Sequence, residues 1–95
     1  MIVRFNIDSF DKTQYEYRVT HEGEDLFGDA GLGGIEECII AATEGLGQDA
    51  VAAEVAFRGI ISGTYPLASL ALMSAQIAVH ALQTTEAVEE VGRTL

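Results

Sequence analysis

Apolar and polar positions change rhythm several times along the chain. Ile2, Val3, Phe5 and Ile7 surround Arg4, and Tyr15, Tyr17 and Val19 alternate with Glu16, Arg18 and Thr20. A period of two in β-branched and aromatic residues is the mark of a half-buried strand. Asp11, Lys12 and Thr13 supply turn-forming polarity between the two segments. A β-hairpin over residues 2–20 is therefore expected. Residues 21–34 are polar and then glycine-rich, with Leu26 and Phe27 able to extend the sheet briefly before Gly28 and Gly31 turn the chain.

Over residues 32–46 the rhythm becomes helical. Leu32, Ile35, Cys38, Ile39 and Ala42 fall on one face, Glu36, Glu37 and Glu44 fall elsewhere, and Gly45 and Gly47 close the segment. Val51, Ala53, Val55 and Phe57 then alternate with Ala52, Glu54, Ala56 and Arg58. That spacing predicts a strand, or a hairpin turning at Arg58 and Gly59, over residues 51–62. The alanines also suit a helix.

The longest apolar stretch runs from Pro66 to Leu82. It holds Leu67, Leu70, Leu72, Met73, Ile77, Val79 and Leu82 among five alanines, with a thin polar seam of Ser69, Gln76, His80 and Gln83. Pro66 suits a helix start and pushes Tyr65 out of the helical region. A helix over residues 66–83 is expected, apolar nearly all round and so enclosed on most sides, by a helix of its own chain or by a second chain. Alanines 68, 71, 75 and 78 offer a flat strip for close approach. Thr84 and Thr85 before Glu86 read as a fresh cap, giving a bend and a short C-terminal helix to Val91. The seven-residue spacing of Leu70, Ile77, Thr84 and Val91 allows one long helix instead.

Together these segments predict one α+β domain over residues 1–95. An antiparallel sheet packs on two helices in the order ββαββα. Aligning Gly28 with Gly63 sets Leu32 opposite Leu67, Ile35 opposite Leu70 and Cys38 opposite Met73, a pattern compatible with duplication.

Charge sharpens the picture more than composition does. The 95 residues carry a formal charge of −10, and no Lys or Arg stands between Arg18 and Arg58. Glu22, Glu24, Asp25, Asp29, Glu36 and Glu37 lie in that interval, followed by Glu44, Asp49 and Glu54. Such a segment repels nucleic acid phosphates and anionic lipid, so direct binding to either is not expected. The Pro66–Leu82 run is too interrupted by polar residues to read as a membrane span, and Met1–Phe10 lacks the form of a signal peptide. With Cys38 the only cysteine, no internal disulfide is available, and a cytoplasmic location is expected.

Candidate chemistry largely fails on spacing. Taking Asp25 as the first ligand of a calcium loop places Asp29 fifth, Leu32 eighth and Glu36 twelfth. Phe27 then stands third, and Ala30 replaces the glycine required at the sixth position. Gly28, Gly31, Gly33 and Gly34 do not match a phosphate-binding pattern, and read as a turn needing positive φ. Cys38 sits on the apolar stripe, where a thiol stays protonated. His21 and His80 have no partner at ligand spacing, while Glu36–Glu37 and Glu89–Glu90 point in different directions on helices. No cofactor, metal or catalytic centre is expected.

The chain is thus expected to be a small acidic non-enzymatic domain working by contact. Its acidic face, Glu22, Glu24, Asp25, Asp29, Glu36 and Glu37, would dock on a basic protein surface. Small phage or mobile-element inhibitors of nucleic-acid enzymes use this logic, presenting carboxylates to a groove built for phosphates. The alternative is a homodimeric scaffold module with Leu70, Met73, Ile77 and His80 at the interface. A small-molecule binding domain is a third class, for which no residue stands out.

Overall fold

The computed structural model describes residues 1–94. The elements are β1 (Ile2–Ser9), β2 (Tyr15–His21), β3 (Glu24–Leu32), α1 (Ile35–Glu44), β4 (Ala52–Phe57), β5 (Ile60–Pro66), α2 (Leu67–Leu72) and α3 (Ser74–Thr94). The fold is α+β, a five-stranded sheet in the order β3-β2-β1-β4-β5 with helices against it. Val3, Phe5 and Ile7 of β1, Tyr17 and Val19 of β2, and Ala53, Val55 and Phe57 of β4 point to the helices. There they meet Ile35, Cys38, Ile39 and Ala42 of α1, Leu70 of α2, and Ile77 and Ala81 of α3.

The expected hairpin forms, with Phe5 opposite Val19 and Ile7 opposite Tyr17. The alternation over residues 51–62 is also strand, closing as the β4–β5 hairpin. Arg58 (φ 51) and Gly59 (φ 79) make its turn, and Glu22 (φ 52) and Gly23 (φ 83) make the β2–β3 turn. Paired positive φ values suit the right-handed twist of the flanking strands.

Two expectations about topology are corrected. The sheet is mixed rather than antiparallel, because β1 and β4 run parallel, with Val3 opposite Ala53 and Phe5 opposite Val55. The order is also βββαββαα rather than ββαββα. One cause explains both. Residues 24–32 pair with β2 as a third strand, so the chain enters α1 at the opposite end of the sheet from the one a simple hairpin would reach. The helix carries it back, and β4 must then run in the direction of β1. The proposed duplication fails here too, since β3 has no counterpart in the second half.

The C-terminal helix differs in three ways. Its break falls at Met73 (φ −121, ψ 26), not near Thr84. Hydrogen bonds from Met73 N–H to Ser69 and from Ile77 N–H to the Met73 carbonyl bridge the bend. No separate short helix follows, because Thr84 and Thr85 lie inside α3. The Thr85 hydroxyl donates to the Phe57 carbonyl at 3.0 Å rather than capping a new helix. Arg58 adds a second fastening, bonding Glu89 and Ser9 at 3.2 Å each while lying over the Phe57 ring.

Nor is the apolar rod enclosed within its own chain. It lies on the sheet by one face, leaving Leu72 84% and Val79 55% exposed. The expectation counts alanine as part of the apolar surface. Alanine reads as apolar in sequence but contributes too little surface to demand cover on every side. Among the described residues no helix is long and apolar enough to cross a membrane.

Candidate functional site

The six carboxylates lie on consecutive parts of the chain. Glu22 sits in the β2–β3 turn, Glu24, Asp25 and Asp29 lie on edge strand β3, and Glu36 and Glu37 occupy the first turn of α1; all six are exposed. Those on β3 do not share one face of the sheet. Asp25 pairs in register with Thr20 on the face away from the helices, beside Arg18 at 3.3 Å. Glu24 and Asp29 pair with His21 and Tyr17 and turn toward the helix side. Asp25 and Asp29 therefore stand on opposite faces of an extended strand, a geometry unlike a calcium loop.

Several of these acids have local duties. Glu37 accepts the Gly33 backbone N–H at 2.9 Å, satisfying an amide ahead of α1, and it shares the helix's first turn with Glu36. Negative charge there suits the helix dipole. Asp29 accepts the Ala30 N–H at 2.8 Å. Glu22 lies 3.9 Å from His21. Among the described residues Glu24 and Glu36 make no ion pair. The counter-charge is sparse: across β2, β3 and α1, residues 15–44, the single Lys or Arg is Arg18. Its exposed pair with Asp25 is worth little in water.

The glycines of this segment serve the backbone. Of Gly28, Gly31, Gly33 and Gly34, Gly31 alone has positive φ, correcting the expectation of a general left-handed turn. Gly28 is needed for a different reason, since a Cβ there would come within 2.5 Å of the Tyr17 carbonyl oxygen.

Cys38 is fully buried beside Ile39 and Ala42, and its thiol is pushed up to about 12 by burial first, then by Glu37 and Glu16. A thiol so held is protonated and unreactive at neutral pH. Burial, assisted by Asp29, also raises Tyr17. His21 and His80 lie on β2 and on the outer side of α3, apart from each other.

The four residues expected at a dimer interface divide. Leu70 and Ile77 face the sheet, 0% and 3% exposed, and are spent on the chain's own core. Met73 and His80 remain at the surface, together with Leu72, Val79 and Leu82. From Gly59 to Thr85 there is no Asp, Glu, Lys or Arg. Charge is thus absent from β5, α2 and the first half of α3, while the C-terminal part of α3 carries Glu86, Glu89, Glu90 and Arg93.

A shallow groove of about 280 Å³ opens between α1 and α3, bounded by Tyr15, Gly34, Ile35, Glu36, Glu37, Ala78, Val79 and Leu82. Sequence reasoning singled out Glu36 and Glu37 but not the apolar part of this groove. In a helix that reads as apolar nearly all round, nothing local says which apolar side chains the sheet leaves uncovered. Comparison with known proteins found no matching family model, no matching curated protein and no matching solved structure.

Proposed function

We propose that the protein is a small non-enzymatic binding domain that docks its carboxylate-rich β3–α1 region on a basic surface of a protein partner. It would act as an inhibitor or regulator, covering a groove that otherwise receives nucleic acid. The observation that carries this reading is the charge imbalance of that region: six exposed carboxylates on β3, its turn and α1, with Arg18 the single Lys or Arg on β2, β3 and α1. Such a region creates a long-range field that speeds encounter with a cationic surface and rejects anionic ones.

The test is capture of partners from a lysate at low ionic strength, repeated near 0.5 M salt, where the Debye length has shrunk to roughly 4 Å. The expected outcome is a specific partner lost at high salt. It is lost equally when Glu22, Glu24, Asp25 and Asp29 are replaced by their amides. Binding unchanged by salt and by these replacements would reject the reading.

A second reading is favoured by the exposure of Leu72, Met73, Val79 and Leu82 in the uncharged stretch of residues 59–85. There the chain would be a homodimeric scaffold module joined through α2 and α3. A dimer joined through Leu72 and Met73 would leave Glu22, Glu24, Asp25 and Asp29 outward, whereas one joined through Val79 and Leu82 would cover the groove that Glu36 and Glu37 border.

A further inference from the structure

The groove between α1 and α3 combines two chemistries. Its floor and α3 side are apolar, built from Ile35, Ala78, Val79 and Leu82, and its α1 rim carries Glu36 and Glu37. No Lys or Arg lines it. Val79 is more than half exposed, and it also borders a neighbouring hollow on the outer side of α3, so the apolar surface continues past the groove. Glu37 is committed to the Gly33 amide, whereas Glu36 makes no ion pair. A ligand seated here would bury aliphatic surface and meet a carboxylate at its margin.

We propose that this groove receives a segment of the protein partner in which a large aliphatic or aromatic side chain is flanked by Lys or Arg. The apolar side chain seats against Val79, Leu82 and Ala78, and the neighbouring cation pairs with Glu36. This rests on the docking function proposed above and specifies its anchor. A basic surface alone would be held by charge and lost in salt, whereas an apolar anchor supplies binding that salt does not screen.

Charge complementarity selects the occupant. A second copy of the chain is poorly equipped, because it carries a net charge of −10 with only five Lys and Arg, and so meets a carboxylate rim with like charge. A foreign segment bearing several unpaired cations matches the rim better.

The test uses the full chain and fluorescein-labelled synthetic peptides read by fluorescence anisotropy. One peptide alternates Leu with Lys, and a second of equal charge replaces every Leu by Ser. The expected result is that the Leu/Lys peptide binds about tenfold tighter or more than the Ser/Lys peptide. Val79→Ser should erase most of that difference, and Glu36→Gln should weaken the Leu/Lys peptide about threefold with a shallower salt dependence. Both positions are exposed, so the variants fold, which circular dichroism verifies.

Equal affinity for the two peptides, or no binding of either at about 100 µM, overturns the groove proposal. Binding that responds to amide replacement of Glu22, Glu24 and Asp25 but not to Val79→Ser or Glu36→Gln also overturns it, while leaving the docking function standing. A concentration-dependent dimer abolished by Val79→Ser would assign the groove to a second copy and overturn it as well. Loss of salt-sensitive partner capture with the Leu/Lys preference intact would reject the docking function instead.

Discussion

Cys38 shows how much one side chain's behaviour depends on neighbours distant in sequence. Its place on the stripe of Ile35, Ile39 and Ala42 is legible from spacing, and the structure encloses it completely. The contribution of Glu16 to its raised pKa is not legible, because Glu16 reaches it only through the packing of β2 under α1. The consequence is a pH dependence with a definite sign. The thiol ionises at about 12 in the fold against an ordinary 9.0, so the fold favours the neutral form. That stabilisation is complete below pH 9 and is lost as pH climbs toward 12. Tyr17 shifts in the same direction. Urea unfolding of Cys38→Ala should therefore show a shallower fall in midpoint between pH 9 and 11 than the parent, below a baseline lowered by about 1–2 kcal/mol for the lost sulfur. Ellman's reagent should leave the native thiol unmodified at neutral pH and react on unfolding.

At the scale of elements, backbone conformation separates glycines that look alike in sequence. Gly59 adopts φ +79 in the β4–β5 turn, where an L residue is strained, while Gly34 stands extended at φ −178 before α1 with no side-chain cap. Nothing lies within 4 Å of a Cβ built at either position. The same replacement should then act with opposite signs. Gly59→Ser should cost about 1 kcal/mol. Gly34→Ser should stabilise by roughly 0.5 kcal/mol, gaining an N-cap and losing unfolded-state freedom. Thermal or urea midpoints of the two variants decide this.

Strand β3 is the element that local reading loses. Its sequence, EDLFGDAGL, is poor in β-branched residues and carries two glycines, so its propensity speaks against a strand. What makes it one is the open hydrogen-bonding edge of β2, and the small contact that Phe27 makes with Tyr17, ring edge to face at 6.3 Å. The bend at Met73 is similarly invisible, since the helical spacing of the inward positions Leu70, Ser74, Ile77, Ala81 and Thr85 runs through it without interruption.

For the whole molecule, the distribution of charge sets what can assemble. Two copies of a −10 protein repel one another, so self-association is favoured on the surface of residues 59–85, which carries no Asp, Glu, Lys or Arg. If that surface joins two copies, sedimentation at tens of micromolar should give a dimer that Leu72→Glu converts to monomer. The substitution leaves the fold intact because Leu72 is already 84% exposed. A parent protein that stays monomeric over that range removes the scaffold reading.

By itself the sequence determined the helix α1, the hairpin β1–β2, the burial of Cys38 and the concentration of carboxylates in the middle of the chain. Each is a local periodicity or a count, which neighbouring residues settle among themselves. Residues 51–62 it left open between strand and helix. Only the tertiary structure decided that β3 joins the sheet and so turns β4 parallel to β1, and that Leu70 and Ile77 go inward while Leu72 and Val79 stay out. These outcomes depend on which hydrogen-bonding edge is open and which apolar surface is already covered. Such quantities exist only once distant segments have met.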